Sequence, residues 1–171
     1  YETTGKEIWE QTEGKIDGFI CASGTGGTIA GVSNALKEKN KDIKIYLSDP
    51  KGSCLYNYIK TKEFKSEGNS ITEGIGSSRV TKNFEKALID DAYSIDDTTA
   101  LTVLFNLIEQ EGLSLGTSSG INVAGAMQLA KELGPNKTIV TILCDKSDRY
   151  QGKLFNKKFL MDKNLPYPRW L

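Results

Sequence analysis

The chain has 171 residues, and its 22 basic and 22 acidic side chains cancel to a net charge of zero, with no histidine at all. That balance, without a block of like charge, argues against nucleic acid or an anionic membrane as partner, and no apolar run approaches the roughly 20 residues that span a bilayer. The missing histidine excludes Ser-His-Asp and Cys-His catalysis within the chain, and three scattered cysteines, Cys21, Cys54 and Cys144, without a C-x-x-C pair offer no metal site.

Taken in order, Thr3 or Thr4 can cap a short helix through Ile8 and Trp9 that ends near Gly14. A nearly continuous apolar run, Ile16 to Ala22, reads as a strand covered on both faces. Ser23-Gly24-Thr25-Gly26-Gly27-Thr28 follows, and then a helix from Ile29 to Lys39 with Ile29, Val32 and Leu36 on one side. Glycines between a strand and a helix remove the Cβ atoms that block close approach, and the helix N-terminus favours an anion. The loop is therefore either a phosphate cradle or an ordinary turn. A second strand, Ile43 to Ser48, completes a βαβ unit and ends at Asp49-Pro50.

From Lys51 to Arg79 the periodicity is lost, and the length and glycine content predict a functional loop with short helical pieces. Val80 to Leu88 is predicted as a helix and Ala92 to Ile95 as a short strand. Asp96-Asp97-Thr98 caps a helix with Leu101, Leu104, Phe105 and Ile108 on one stripe, ended by Gly112. Gly116 to Gly120 opens another, with Val123, Met127 and Ala130 on its apolar stripe and Gly134-Pro135 as its stop. Thr138 to Leu143 is predicted as the last central strand, with a turn at Cys144 to Tyr150. Phe155, Phe159 and Leu160 dock the tail. Cys21 and Cys144 both read as small buried residues. The fold class is α/β, a mostly parallel sheet flanked by helices. Ser23–Thr28 and Cys144–Tyr150 then meet at the carboxyl ends of strands, where ligands bind.

A dinucleotide site is one reading of Gly24 to Ile29, with Asp49 as the ribose acid. The third glycine of G-x-G-x-x-G is absent, however, because position 29 is isoleucine.

Several separated motifs together resemble the carboxyl-terminal half of cysteine synthase (O-acetylserine sulfhydrylase). They are Thr3–Glu10, Gly14–Asp17, Gly24–Ser33, Glu73–Gly76, Glu111-Gly112, Gly116–Gly120 and Asp148-Arg149-Tyr150. That enzyme belongs to the fold-type II pyridoxal-phosphate family, as does cystathionine β-synthase. The resemblance implies a tryptophan synthase β-like fold. In it, residues 1–171 form the cofactor-phosphate domain of a larger two-domain enzyme whose amino-terminal half lies outside this chain. It implies that Gly24, Thr25, Gly26, Gly27 and Thr28 hold the phosphate of pyridoxal 5'-phosphate, that Gly74 lines the cofactor pocket, and that Ile75 and Gly76 line the substrate pocket. Ser118 and Ser119 are expected to cap a helix. The partner of the pyridine nitrogen falls on Asp145, Lys146 or Ser147.

The Schiff-base lysine is expected outside the chain, so no catalytic residue is assigned within it. Lys51, Lys60, Lys82 and Lys153 read as solvated charges. The implied reaction is β-replacement on O-acetylserine by sulfide to give L-cysteine. Cystathionine β-synthase chemistry, or a non-catalytic phosphate-binding module, are the alternatives. The implied partners are a second copy of the protein as a homodimer and serine acetyltransferase, in the cytoplasm, with no nucleic acid or membrane. Two further expectations follow: Gly26→Asp abolishes cofactor binding with the fold intact, and apolar surface near Phe19 and Ile20 is left uncovered.

Overall fold

The computed structural model describes all 171 residues. Four strands, β1 (Gly18–Cys21), β2 (Lys44–Pro50), β3 (Asp91–Ile95) and β4 (Ile139–Val140), form one parallel sheet in the order β3-β2-β1-β4. The register pairs Gly18 with both Lys44 and Ile139, and Tyr46 with Asp91. With every strand parallel, all carboxyl ends open on one side of the sheet. The Ile16–Ala22 run thus becomes a central strand buried on both faces, as continuous apolar character requires.

Alternation along the strands divides the core. Phe19, Cys21, Ile45 and Leu47 point to the face covered by α1 (Thr4–Gln11) and α2 (Gly27–Lys39), where Ile29, Val32 and Leu36 are buried as predicted. Ile20 and Tyr46 point to the opposite face, against Leu129. Phe19 and Ile20 are both fully buried, so the expectation of uncovered apolar surface there fails. Each has a helix over it within this chain.

The second face is covered by α5 (Thr117–Leu133), which also packs on α4 (Asp97–Glu111). The predicted stripe of Val123, Met127 and Ala130 is not the buried one. Met127 and Ala130 are exposed, while Ile121, Ala124 and Leu129 face inward. Small residues decide this, because a Cβ on Gly125 would stand 2.3 Å from Ser48 Oγ. The helix lies too close to β2 for a bulky stripe. α4 follows its prediction: Asp96 Oδ1 accepts from the Thr99 amide at 2.7 Å, and Gly112 closes the helix in the left-handed region.

Two elements are shorter than predicted. Within 80–88 only a single 3-10 turn forms, Phe84–Lys86, because Phe84 alone dives into the core and the Thr81 hydroxyl is bonded to the carbonyl of Thr25 at 2.7 Å. β4 is a two-residue edge strand, not a long central one. Beyond Val140 the chain is held by side chains: Thr141 Oγ1 donates to the Ile20 carbonyl at 2.7 Å, and Asn122 Nδ2 to that of Ile142 at 2.7 Å. The 51–79 segment contains one short helix, α3 (Leu55–Thr61). The tail forms a 3-10 turn at Ser147–Tyr150, then α6 (Gln151–Leu154) and α7 (Lys157–Asp162), which seat Leu154 and Leu160 against Leu101, Leu104 and Phe105.

Candidate functional site

β1 delivers the chain to the Gly-rich loop, and Asn122 Oδ1 accepts from the Ala22 amide at 2.6 Å to fix the exit. None of the backbone N–H groups from Gly24 to Ile29 donates to a protein acceptor. Buried beside them, Ser23 is 3% exposed, yet its hydroxyl has no partner. Unpaired donors gathered at a helix N-terminus require an acceptor from outside the fold, and an oxyanion supplies several. Gly26 turns the chain into α2 at φ 85°, and a Cβ on it would lie 2.6 Å from the Phe84 nitrogen. Thr25, Gly27 and Thr28 are exposed on the open side of the loop.

The structure brings the second predicted group to the first. A Cβ on Gly24 would stand 2.4 Å from the Gly74 carbonyl oxygen, and the Gly76 amide donates to the Ser23 carbonyl at 2.8 Å. Gly76 also packs against Pro50 and Ser53 at the end of β2. The loop that carries Gly74, Ile75 and Gly76 is held at its start by Asp97, whose carboxylate accepts from the Ser70 hydroxyl and from the Ile71 amide at 2.8 Å. From the far side Lys153 Nζ donates to the Ile71 carbonyl at 3.0 Å and pairs with Glu73. Lys153 is thus not the solvated charge the sequence suggests. Lys60 likewise pairs with Asp91.

A cavity of about 360 Å³ opens between Gly74 and Ile75 on one side and Ser118, Cys144, Asp145 and Tyr150 on the other. Here three expectations change. Ser118 and Ser119 do not cap α5, whose cap position is Gly116; Ser119 Oγ instead accepts from the Cys144 amide at 3.1 Å, and Ser118 lines the cavity. Cys144 is exposed, because the chain has left the sheet before reaching it, whereas Cys21 is buried and its thiol pKa is raised by desolvation. Of the three residues considered for the pyridine nitrogen, Asp145 lines the cavity, Ser147 is buried on the Ser114 hydroxyl at 2.6 Å, and Lys146 is exposed. Asp145 Oδ2 accepts from the Tyr150 hydroxyl at 2.7 Å, which pushes the phenol up to about 12. Its Oδ1 is buried without a partner against the start of α5.

Asp49 is fully buried at the end of β2, where one carboxylate oxygen accepts from the Tyr56 amide at 2.7 Å and the other has no partner. Desolvation pushes its pKa up to about 6. A sealed carboxylate that caps α3 is not placed to bind a ribose, and the dinucleotide reading loses its acid. Sequence reasoning missed Asn122, Asp97 in its loop-holding role, and Lys153. Only Asn122 left a signal, as an amide set between the apolar Ile121 and Val123 in the second turn of α5.

The model of the family described as "Pyridoxal-phosphate dependent enzyme" matches residues 1–145. Cysteine synthase 1 of Neurospora crassa is 46% identical over 169 residues, which cover 96% of this chain and 45% of that protein. A cysteine synthase of Dictyostelium discoideum is 44% identical over 174 residues, with 96% and 46% covered. The chain therefore spans about half the length of the curated relatives it matches. Among solved structures, the O-acetylserine dependent cystathionine beta-synthase of Helicobacter pylori superposes with a TM-score of 0.81 at 31% identity, covering 90% of this chain and 48% of that one.

Proposed function

Since the chain belongs to the pyridoxal-phosphate dependent enzymes, we propose that it holds the phosphate of pyridoxal 5'-phosphate for a β-replacement that makes L-cysteine from O-acetylserine and sulfide. The observation that carries the reading is the run of unpaired amides from Gly24 to Ile29, with the unpartnered Ser23 hydroxyl beside them and Gly74 packed against Gly24. These residues fit a phosphate: they offer N–H and O–H donors, and α2 directs its positive end toward them.

When bound, pyridoxal phosphate supplies an electron sink that acidifies the α-proton of an amino acid and lets a β-leaving group depart. The chain's own residues have simpler tasks. Gly24, Thr25, Gly26, Gly27 and Thr28 fix the anionic end. Gly74 and Ile75 form one wall of the cavity next to that anchor, and their lack of bulk at Gly74 leaves room for a flat ring. Gly76, held on Ser23, sets the distance between wall and anchor. Asp145 and Tyr150 form the opposite wall and hold a proton between them.

In this reading the lysine that binds the cofactor covalently lies outside residues 1–171, in the part of the relatives that this chain does not cover. A homodimer, an association with serine acetyltransferase and a cytoplasmic setting complete it. The test uses the natural protein with pyridoxal phosphate, followed by borohydride reduction and peptide mapping. The expected result is stoichiometric binding and an adduct on no lysine of residues 1–171; an adduct on one of them would overturn the assignment. Product analysis with sulfide, against homocysteine offered with serine or with O-acetylserine, separates cysteine synthesis from cystathionine synthesis; O-acetylserine is the donor in the name of the Helicobacter pylori protein. A protein that binds the phosphate group and makes neither product would be a binding module.

A further inference from the structure

We propose that Lys153 is a positioning residue that straps the Glu73–Gly76 loop against the anion cradle. The inference rests on reading Gly24–Ile29 as that cradle. The loop has little hold of its own. No backbone N–H of Glu73, Gly74 or Ile75 donates to the protein, and the first such bond after Ile71 that reaches the cradle is Gly76 to Ser23. At the other end Ile71 is gripped through both of its backbone groups: its N–H donates to Asp97, and its carbonyl accepts from Lys153 Nζ. The same ammonium pairs with the Glu73 carboxylate, one residue before Gly74. Lys153 therefore bonds on both sides of Thr72.

The strap starts from a firm base. Its side chain is only 31% exposed, and the next residue, Leu154, is buried among Leu101, Leu104 and Leu160. Its far end has no slack, because the Gly74 carbonyl already touches Gly24. Lys153 also masks charge. Glu73 is held below the usual carboxylate range, first by Lys153 and more weakly by Arg149. Without the lysine a bare carboxylate would stand beside an anion site, and the loop would lose its grip on Ile71. Both effects weaken anion binding.

The test compares the natural protein with K153M, K153R and E73Q. Hydrogen exchange at the Ile71 and Gly76 amides, bonded at either end of the loop, is followed without ligand, and inorganic phosphate and pyridoxal phosphate are titrated separately. K153M is expected to speed exchange at these two amides and to weaken pyridoxal phosphate binding, each about tenfold. K153R, which keeps a cationic donor, should restore most of both. E73Q, which keeps the bond to Ile71 but removes the carboxylate, should leave exchange near wild type. Thermal unfolding confirms that each variant is folded. Exchange in K153M equal to wild type, or faster exchange with unchanged affinity, overturns the strap. Wild-type protein that binds neither anion overturns the cradle itself, a result that is separate from the behaviour of the lysine variants.

Discussion

Gly26 and Gly27 are neighbours in the cradle, but a carboxylate at each acts by a different route. Gly26 sits at φ 85° with the Phe84 backbone 2.6 Å from its would-be Cβ, so Gly26→Asp distorts the fold and does not isolate binding, contrary to the simple expectation from sequence. Gly27 meets only Thr25 Oγ1, at 3.8 Å. We expect Gly27→Asp to keep the thermal midpoint within a few degrees of wild type while weakening pyridoxal phosphate by at least about a hundredfold, read by cofactor fluorescence titration. A variant with normal affinity would remove the cradle. Asp49 makes a prediction in pH. Its folded-state pKa of about 6 lies above the roughly 3.9 of an unfolded aspartate, so between those values the native state binds the extra proton. Its contribution therefore falls as pH rises through that window, and above it the buried charge costs of order 3 kcal/mol. Asp49→Asn, which keeps an acceptor for the Tyr56 amide, should be closest to wild type near pH 4 and gain on it toward pH 7, measured by urea unfolding. A difference independent of pH would show that the carboxylate is already solvated.

At the scale of elements, α5 is joined to the sheet by side-chain hydrogen bonds as well as by packing, and Asn122 makes two of them. Asn122 is 1% exposed and bridges the end of β1 to the chain beyond β4, through the Ala22 amide and the Ile142 carbonyl. Asn122→Leu leaves both half-buried backbone groups unpaired, and we expect a loss of about 2–4 kcal/mol in chemical denaturation. An effect below about 1 kcal/mol would mean that water reaches both groups. The α4 cap offers a calibration. Asp96→Ala removes the single bond to the Thr99 amide and should cost about 1 kcal/mol. Asp97→Ala should cost cofactor affinity as well, because its carboxylate holds Ser70 and Ile71 at the start of the Gly74 loop. Two adjacent aspartates at one helix start thus separate stability from binding. Titration and unfolding of the two variants side by side would reveal a failure of that separation.

For the whole molecule, the order β3-β2-β1-β4 predicts a gradient of protection. Amides of β1 and of β2 from Ile45 on, in buried strands paired on both sides, should exchange slowest, while residues 139–143, held by a two-residue ladder and a few side chains, should exchange far faster. Equal protection along both would mean that the edge is covered in solution. The same layout explains what was legible beforehand. Period and capping are local, so the strand at Ile16–Ala22, the α2 face of Ile29, Val32 and Leu36, and the Asp96-to-Gly112 helix were readable from residue order, as was the Gly-rich loop. The family was readable too, because its motifs keep their order and spacing along the chain. Other features depend on approach between distant segments. Gly125 against Ser48 turned the buried face of α5 away from Val123 and Met127, and the early end of β4 left Cys144 exposed. The sealing of Asp49, the contact of Gly74 with Gly24 and the reach of Lys153 to Ile71 belong to the same group. No periodicity encodes such contacts. They arise when separate segments of the chain pack at van der Waals distance, and the folded backbone alone decides which atoms then meet.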